Sequence, residues 1–207
     1  MLQPIKQILD SQRIVLASTS PRRKEILSNL GLKFEVCPSL YDEKNLDPSN
    51  YPSPSAFVVD TAFHKVEEVA RRLGNSNNSS APDLIIGADT VVSLEGIIFG
   101  KPDNEDTAFK MLKQLSGRHH EVYTGVTLVY KQKTVKFFDS TKVYFSSMSD
   151  ETIQKYIETG EPLDKAGGYG IQGPGGSLIE KIDGDFYTVM GLPLHKLCRH
   201  ILELYNS

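Results

Sequence analysis

The segment Ser18–Arg23 combines three hydroxyl side chains, a proline and two arginines, a set of groups that could hold a phosphate. The apolar run over residues 13–17 predicts a buried strand before it, and residues 22–30 predict a helix that ends at Gly31. The first turn of such a helix has unpaired backbone N–H groups, which bind anions well. This strand, turn and helix therefore predict a place for an anion.

The charges at the start of this helix bear on the same question. Arg22, Arg23 and Lys24 lie at the end of the helix whose dipole is already positive. The conflict disappears if an anion binds there, among the hydroxyls, Pro21 at the first helical position and the guanidinium groups. Alternatively, Ser20 is an ordinary N-cap and the cations are solvated. The residues alone leave both interpretations open.

A second candidate lies in the apolar run over residues 85–92, where Asp89 interrupts a strand that should belong to the core. A buried carboxylate is costly unless it is paired, hydrogen-bonded or bound to a metal. Asp89 could therefore ligate Mg²⁺ or orient a water molecule, or it could simply cap the backbone of a turn. Lys101, directly before Pro102, could reach a phosphate, although a lysine in that position is usually solvated.

A third candidate is the glycine-rich segment over residues 161–173, in which Asp164 and Lys165 come immediately before the glycines. Three glycines satisfy G-x-G-x-x-G, but a dinucleotide fingerprint must open a helix, and Gly-Pro-Gly-Gly follows here instead. The glycines would let a ligand approach the backbone closely, and Gln172 could read the edge of a base. A plain flexible loop is the alternative.

The remaining pattern predicts the fold class. We predict further helices over residues 55–73, 104–115, 149–159 and 193–205, and strands over residues 34–37, 84–92, 97–99, 121–130, 134–145 and 178–182. A hairpin among alternating strands and helices favours an α/β fold with a mixed sheet over an all-parallel one. The polar residues 75–80 predict an exposed, mobile loop.

Composition excludes several classes of function. A net charge of −3 without a dense Lys/Arg run argues against a protein that grips a nucleic acid backbone. No apolar stretch reaches the length of a membrane span or forms a signal segment, which predicts an intracellular protein. Cys37 and Cys198 are predicted to be small buried hydrophobes. A structural role is predicted for residues 116–120 at a helix C-terminus, and His64 and His195 are predicted to be packed or solvated and not to be ligands.

Taken together, six motifs resemble the Maf family of nucleoside triphosphate pyrophosphatases, in order and over nearly the whole chain. They are Ser18-Thr-Ser-Pro-Arg-Arg, Gly87-Ala-Asp-Thr, Gly100-Lys-Pro, Ser116-Gly-Arg-His-His-Glu-Val, Glu161-Pro-Leu-Asp-Lys-Ala-Gly and Gly191-Leu-Pro. Several motifs at matching spacing are far more specific than any one of them.

The resemblance implies a single domain over residues 1–207, with a fold related to the inosine triphosphate pyrophosphatases and two lobes around a central cleft. It implies hydrolysis between the α- and β-phosphates, Mg²⁺ or Mn²⁺ as cofactor, and a homodimer that binds a nucleoside triphosphate. The composition predicts that this protein is cytoplasmic and binds no nucleic acid polymer and no membrane. By motif position, Asp89 corresponds to the proton acceptor and, with Glu43, to a metal ligand. The residues implied in substrate binding are Ser18, Ser20, Arg22, Arg23, Lys65, Thr90, Lys101, Asp164, Lys165 and Gln172.

The resemblance also implies a base. Members similar to this chain at Arg22, Thr90 and Gln172 prefer dTTP and UTP, whereas the subfamily acting on N7-methyl-GTP has Trp at the first position and Glu at the third. Glutamine can both donate to and accept from a uracil edge. We therefore expect dTTP, UTP and modified pyrimidine triphosphates as substrates, with Arg23 on the phosphates and Arg22 helping to select the base. The alternatives are an N7-methyl-GTP pyrophosphatase and a non-catalytic nucleotide-binding regulator of cell division.

Overall fold

The helices and strands follow one another in the mixed order that the sequence predicts. The computed structural model describes residues 1–74 and 81–206. The helices are α1 (Lys6–Asp10), α2 (Pro21–Asn29), α3 (Pro54–Gly74), α4 (Glu105–Leu115), α5 (Asp150–Ile157), α6 (Phe186–Met190) and α7 (Leu194–Asn206). The strands are β1 (Ile14–Leu16), β2 (Glu35–Val36), β3 (Leu84–Leu94), β4 (Ile97–Phe99), β5 (His119–Tyr130), β6 (Lys133–Phe145) and β7 (Ile179–Asp183).

Within the described residues, the seven strands form one sheet in the order β2-β1-β3-β5-β6-β7, with β4 paired to β3. Strand β1 runs parallel to β2 and to β3, with Val15 opposite Glu35 and Ile85. Pairs β3–β4 and β6–β7 are antiparallel. The predicted mixed sheet with flanking helices is confirmed.

Local chemistry explains where the elements turn and end. Between β3 and β4, Glu95 has φ 52° and Gly96 has φ 84°, the two positive φ values that a tight hairpin turn requires. The side chains of Asn104 and Ser149 accept hydrogen bonds from backbone N–H groups in the first turns of α4 and α5, as N-caps do. These boundaries agree with the predicted ones to within a few residues.

The chain divides into two compact units. The first unit consists of the described residues of Met1–Asp89, Thr124–Asp139 and Gly191–Ser207, and the second of Thr90–Tyr123 and Ser140–Met190. A buried cluster in the first unit packs α3 against β1 and β3 through Val15, Ala17, Val66, Val69 and Ile85. A buried cluster in the second unit packs α4 and α5 together and includes Leu112, Leu115, Val143, Phe145 and Ile153.

Some predictions differ from the structure. Helices α1 and α6 were not predicted, because five residues are too short to show a helical period. Ser116 follows the end of α4 at Leu115, as predicted, but β5 begins at His119, two residues before the predicted start of the strand. Cys198 is buried as predicted, but Cys37 is only partly so, because it follows the exposed strand β2.

Two further predictions concern the polar loop at residues 75–80 and the absence of a membrane-spanning segment. The predicted mobile loop at residues 75–80 lies outside the described residues. Among the residues that the structure describes, no helix combines the length and the apolar character needed to cross a membrane.

Candidate active site

The turn between β1 and α2 is built on two serines. The Ser20 hydroxyl caps α2 by accepting a hydrogen bond from Arg23 N at 3.4 Å, and Pro21 occupies the first helical position. The Ser18 hydroxyl accepts from Ser20 N at 3.2 Å and from Arg23 Nη1 at 3.1 Å. Ser20 is therefore an N-cap, and Ser18 joins the turn to the side chain of Arg23.

The three cations at the start of α2 have different surroundings. Lys24 is exposed and Arg22 is half-buried, whereas Arg23 is buried and its Nε donates to the carbonyl oxygen of Gly191 at 2.8 Å. Burial lowers the pKa of the Arg23 guanidinium; the negative charges of Asp89 and Glu43 oppose this effect and Arg22 adds to it. The interpretation that all three cations are solvated is wrong for Arg23.

Asp89 lies in the middle of β3 and is buried, as the apolar run predicts. Its Oδ1 accepts a 2.7 Å hydrogen bond from Nζ of Lys65 on α3, which is also buried. The same Nζ lies 2.9 Å from Oε1 of Glu43, whose side chain is 56% exposed. One ammonium thus holds two carboxylates, and the buried charge of Asp89 has the partner that it needs.

The approach of α3 to β3 depends on Gly87. A Cβ atom at this position would lie 2.3 Å from Cγ2 of Val66 and 3.3 Å from the carbonyl oxygen of Ala62. No real Cβ tolerates the first distance, so only glycine lets the helix come this close to the strand. Lys65, next to Val66 on α3, thereby reaches Asp89, two residues beyond the glycine.

Side chains of α3 also anchor the segment that carries Glu43. The Glu68 carboxylate accepts hydrogen bonds from Leu40 N at 2.9 Å and Ser39 Oγ at 3.2 Å. Its hydrogen bond with Arg72 holds the pKa of Glu68 below its usual value. The sequence does not predict the contact with Leu40, because every residue except proline has a backbone N–H group. Glu68 is a site residue that the sequence reasoning missed.

Aromatic contacts continue this anchoring. The rings of Tyr41 and His64 stack with centroids 4.9 Å apart, and the Tyr51 hydroxyl donates to Asp60 at 2.6 Å. His64 is therefore a packed residue, one of the two alternatives predicted for it. Residues on both sides of Glu43 are fixed to one face of α3.

The other predicted residues lie in the second unit. Thr90 is half-buried on β3, Lys101 is exposed after β4, and Gln172 is exposed in the glycine-rich segment. Nζ of Lys165 contacts the Asp164 carboxylate and donates to the carbonyl oxygen of Glu161 at 2.9 Å. The structure thus brings Asp164 and Lys165 together. It leaves the roles of Thr90, Lys101 and Gln172 as predictions.

Two acidic side chains of this site could contribute ligands to a metal ion. Among the described residues, no group of three or more His, Cys, Asp and Glu side chains could hold an ion. Glu43 and Asp89 form a pair of oxygen donors instead. Mg²⁺ is often held by one or two carboxylates together with the phosphates of a substrate, and this donor set fits that mode.

A family model described as Maf-like protein matches residues 13–204, which include every residue of this site. The chain belongs to the Maf family. Its Maf relatives include a dTTP/UTP pyrophosphatase of Caldicellulosiruptor saccharolyticus, 50% identical over 90% of this chain and 92% of that protein. A dTTP/UTP pyrophosphatase of Bacillus cereus is 46% identical over 93% of this chain and 95% of its own length.

A longer human relative contains the same region. It is named a probable bifunctional dTTP/UTP pyrophosphatase/methyltransferase protein and is 46% identical over 99% of this chain. The chain spans about a third of that protein, 34% of its length. Among solved structures, the Ham1 protein of Staphylococcus aureus matches 94% of this chain with 14% identity and a TM-score of 0.47, too low to support a conclusion about the fold.

Proposed function

We propose that this chain is a nucleoside triphosphate pyrophosphatase that hydrolyses dTTP and UTP to the monophosphate and pyrophosphate. The observation that carries the proposal is the buried Asp89 carboxylate, held by Lys65 with Glu43 on the same ammonium and with the guanidinium of Arg23 within electrostatic reach. Relatives that share about half of its residues are named dTTP/UTP pyrophosphatases. The names of these relatives support dTTP and UTP as substrates. The contacts of Asp89, Lys65 and Glu43 support a role in acid-base chemistry and in binding charged groups.

Asp89 is the proposed proton acceptor. A water molecule attacks the α-phosphorus, the new bond forms from the water oxygen, and the bond from the α-phosphorus to the bridging oxygen breaks. Pyrophosphate leaves with the electron pair of that bond, and the proton of the water passes to the Asp89 carboxylate. A carboxylate fixed by Lys65 in a buried strand meets the positional requirement of a general base.

Arg23 and the β1–α2 turn are the proposed phosphate site. The guanidinium donates hydrogen bonds to the Ser18 hydroxyl and to the carbonyl oxygen of Gly191, so it is oriented before a ligand arrives. Charge-assisted hydrogen bonds to phosphate are about twice as strong as neutral ones. The N–H groups at the start of α2 add their partial positive charge.

A divalent cation, Mg²⁺ or Mn²⁺, is the proposed cofactor, with Glu43 and Asp89 as its protein ligands. When bound, it would neutralise charge that develops on the phosphates. Lys65 keeps the two carboxylates together and offsets one of their two negative charges before the nucleotide arrives.

Base selection by Arg22, Thr90 and Gln172, a phosphate contact by Lys101, and substrate binding by Asp164 and Lys165 belong to the same proposal. So do a single functional domain over residues 1–207 and a homodimer. Size-exclusion chromatography with light scattering tests the dimer. A monomeric mass at the concentration of the activity assay would contradict the homodimer and leave the rest of the proposal unchanged.

The central experiment follows the products. Purified protein with Mg²⁺ should convert dTTP to dTMP and pyrophosphate, resolved by anion-exchange chromatography. Asp89→Asn should lower kcat by at least about 100-fold, the range of a lost general base, while the exposed control Asp103→Asn stays at the wild-type rate. Release of orthophosphate, or equal rates for Asp89→Asn and wild type, contradicts the mechanism.

A panel of nucleotides tests the substrate. We expect dTTP and UTP to be hydrolysed faster than CTP and N7-methyl-GTP. If N7-methyl-GTP is hydrolysed fastest, the chain belongs to the subfamily that acts on N7-methyl-GTP. Tight dTTP binding without hydrolysis by the wild type would favour the non-catalytic regulator.

A further inference from the structure

The carboxylate of Glu161, which follows α5 in the chain, lies against the backbone of a segment over residues 170–175. Its Oε2 accepts a 2.8 Å hydrogen bond from Gly175 N. A Cβ atom at Gly173 would lie 1.9 Å from Oε1, and one at Gly170 would lie 2.9 Å from it. The segment therefore closes around this carboxylate, and the glycines are needed for the backbone to come so near.

Tyr156, on α5, holds the same segment at a second point. Its hydroxyl accepts a hydrogen bond from Gly170 N at 3.1 Å, and a Cβ atom at Gly175 would lie 2.3 Å from it. Burial raises the pKa of Tyr156, and its hydrogen bond with the Glu161 carboxylate raises it further. The hydroxyl thus donates to Glu161 while it accepts from the segment.

These contacts define an arch. The amides of Gly170 and Gly175 are its two fixed ends, and residues 171–174 lie between them, with Gln172 exposed. Directly after the arch, Gly176 N donates to the carbonyl oxygen of Gly173, which lies within it, at 2.9 Å. A segment with this much glycine has many accessible backbone conformations, so fixing its ends removes much of the entropy that binding would otherwise cost.

Glu161 is not explained by an ion pair. In the described part of the chain, Lys165 bonds to the backbone carbonyl of Glu161 and to the Asp164 carboxylate. The Glu161 carboxylate itself is engaged by a backbone amide and a buried phenol. A carboxylate held in this way orients a loop rather than balancing a charge.

We propose that Glu161 is a positioning residue that, with Tyr156, fixes the arch so that Gln172 is presented to the pyrimidine base of the substrate. This proposal rests on the proposed function, since it concerns the base that the enzyme selects. Glu161 acts through the backbone of the arch and does not itself touch the nucleotide.

The test combines a structural and a kinetic readout. Glu161→Ala should speed amide hydrogen exchange of a peptide spanning residues 168–177, raise KM for dTTP about tenfold and leave kcat within about threefold. The ratio of kcat/KM for dTTP to that for CTP should fall by a similar factor. Glu158→Ala is the matched control, because Glu158 lies at the C-terminal end of α5, its side chain is 50% exposed and its carboxylate pairs with Lys155.

Two further variants keep the test decisive if Glu161→Ala fails to fold. Tyr156→Phe removes both hydroxyl contacts but keeps the ring, and Glu161→Gln keeps an acceptor for Gly175 N. Each should shift exchange and KM in the same direction, with Glu161→Gln the milder.

The outcomes separate the two proposals. Unchanged exchange of the segment, or faster exchange with unchanged KM and selectivity, overturns the role of Glu161 while the proposed function stands. A wild type that releases no dTMP from dTTP overturns the proposed function, and the base-presenting role falls with it.

Discussion

Lys65 and Asp89 form an ion pair in which Nζ lies 2.7 Å from Oδ1 and the two side chains are 11% and 12% exposed. Because Nζ also lies 2.9 Å from Glu43, the lysine occupies the space where a cation would meet both carboxylates. Lys65 is therefore a resident positive charge that a metal must share or displace.

Lys65→Met should strengthen metal binding and weaken hydrolysis. Without the ammonium, Glu43 and Asp89 repel each other and attract a free ion more strongly. We expect Mn²⁺ to bind the nucleotide-free variant about tenfold more tightly than wild type, measured by electron paramagnetic resonance, a change of about 1.4 kcal/mol. The kcat for dTTP should fall by at least about tenfold, since Asp89 loses its anchor. Equal Mn²⁺ affinity in both proteins would disprove the competition.

Arg23→Ala should damage phosphate binding. The variant loses a buried guanidinium fixed by Ser18 and Gly191, and kcat/KM for dTTP should fall between about 10-fold and 1000-fold, as for a charge-assisted contact of about 1.5 to 4 kcal/mol. Lys24→Ala is the matched control, because Lys24 is an exposed cation on the same helix. If both variants behave like wild type, the helix start does not bind the substrate.

Glu68→Gln should weaken metal-dependent activity without touching the metal. Its carboxylate anchors Ser39 and Leu40, and through them the segment of Glu43. We expect a higher Mg²⁺ concentration at half-maximal rate and a loss of about 1 kcal/mol in unfolding free energy. Glu67→Gln, with a 59% exposed side chain, should change neither quantity. A loss of stability with an unchanged Mg²⁺ requirement would show that Glu68 stabilises the fold but does not position Glu43.

His120 should make the protein acid-sensitive. Its ring is 2% exposed, and burial, helped by the charge of His119, lowers its pKa from 6.5 to about 4. Between these two values the unfolded chain binds a proton that the folded chain excludes. The free energy of unfolding therefore falls as the pH falls from 6.5 towards 4, by about 3 kcal/mol from this group.

Urea denaturation at several pH values measures this dependence. His120→Gln can still donate a hydrogen bond to the Tyr169 hydroxyl, which lies 2.7 Å from Nε2 of the histidine. Its unfolding free energy should vary less with pH over this interval, whereas the exposed His119→Gln should keep most of the wild-type slope. An unchanged slope in His120→Gln would assign the acid sensitivity to another group.

The sequence predicted some of these features because the responsible signal is local. A lone carboxylate in an apolar run identifies Asp89, and glycine, serine and asparagine near element ends identify the caps. The burial of Arg23 was also readable, because it shares a helix face with Ile26 and Leu27, three and four residues on.

Glu68 and Glu161 could not be predicted in this way. Their partners include backbone amides, at Leu40 and Gly175, and every residue except proline has such an amide. The residue type of a partner therefore says nothing about which glutamate will reach it. Only the folded path of the chain, over separations of 28 and 14 residues, makes these contacts.

Gly87 has a consequence for anyone who mutates or transplants this site. A Cβ atom there would lie 2.3 Å from Cγ2 of Val66. Only the hydrogen atom of glycine leaves enough room for α3 to approach β3 so that Lys65 contacts Asp89. In a saturation library, position 87 should lose hydrolysis about as completely as position 89, although glycine has no side chain for chemistry. A designer who grafts the lysine and the aspartate onto another helix and strand must carry the glycine along with them.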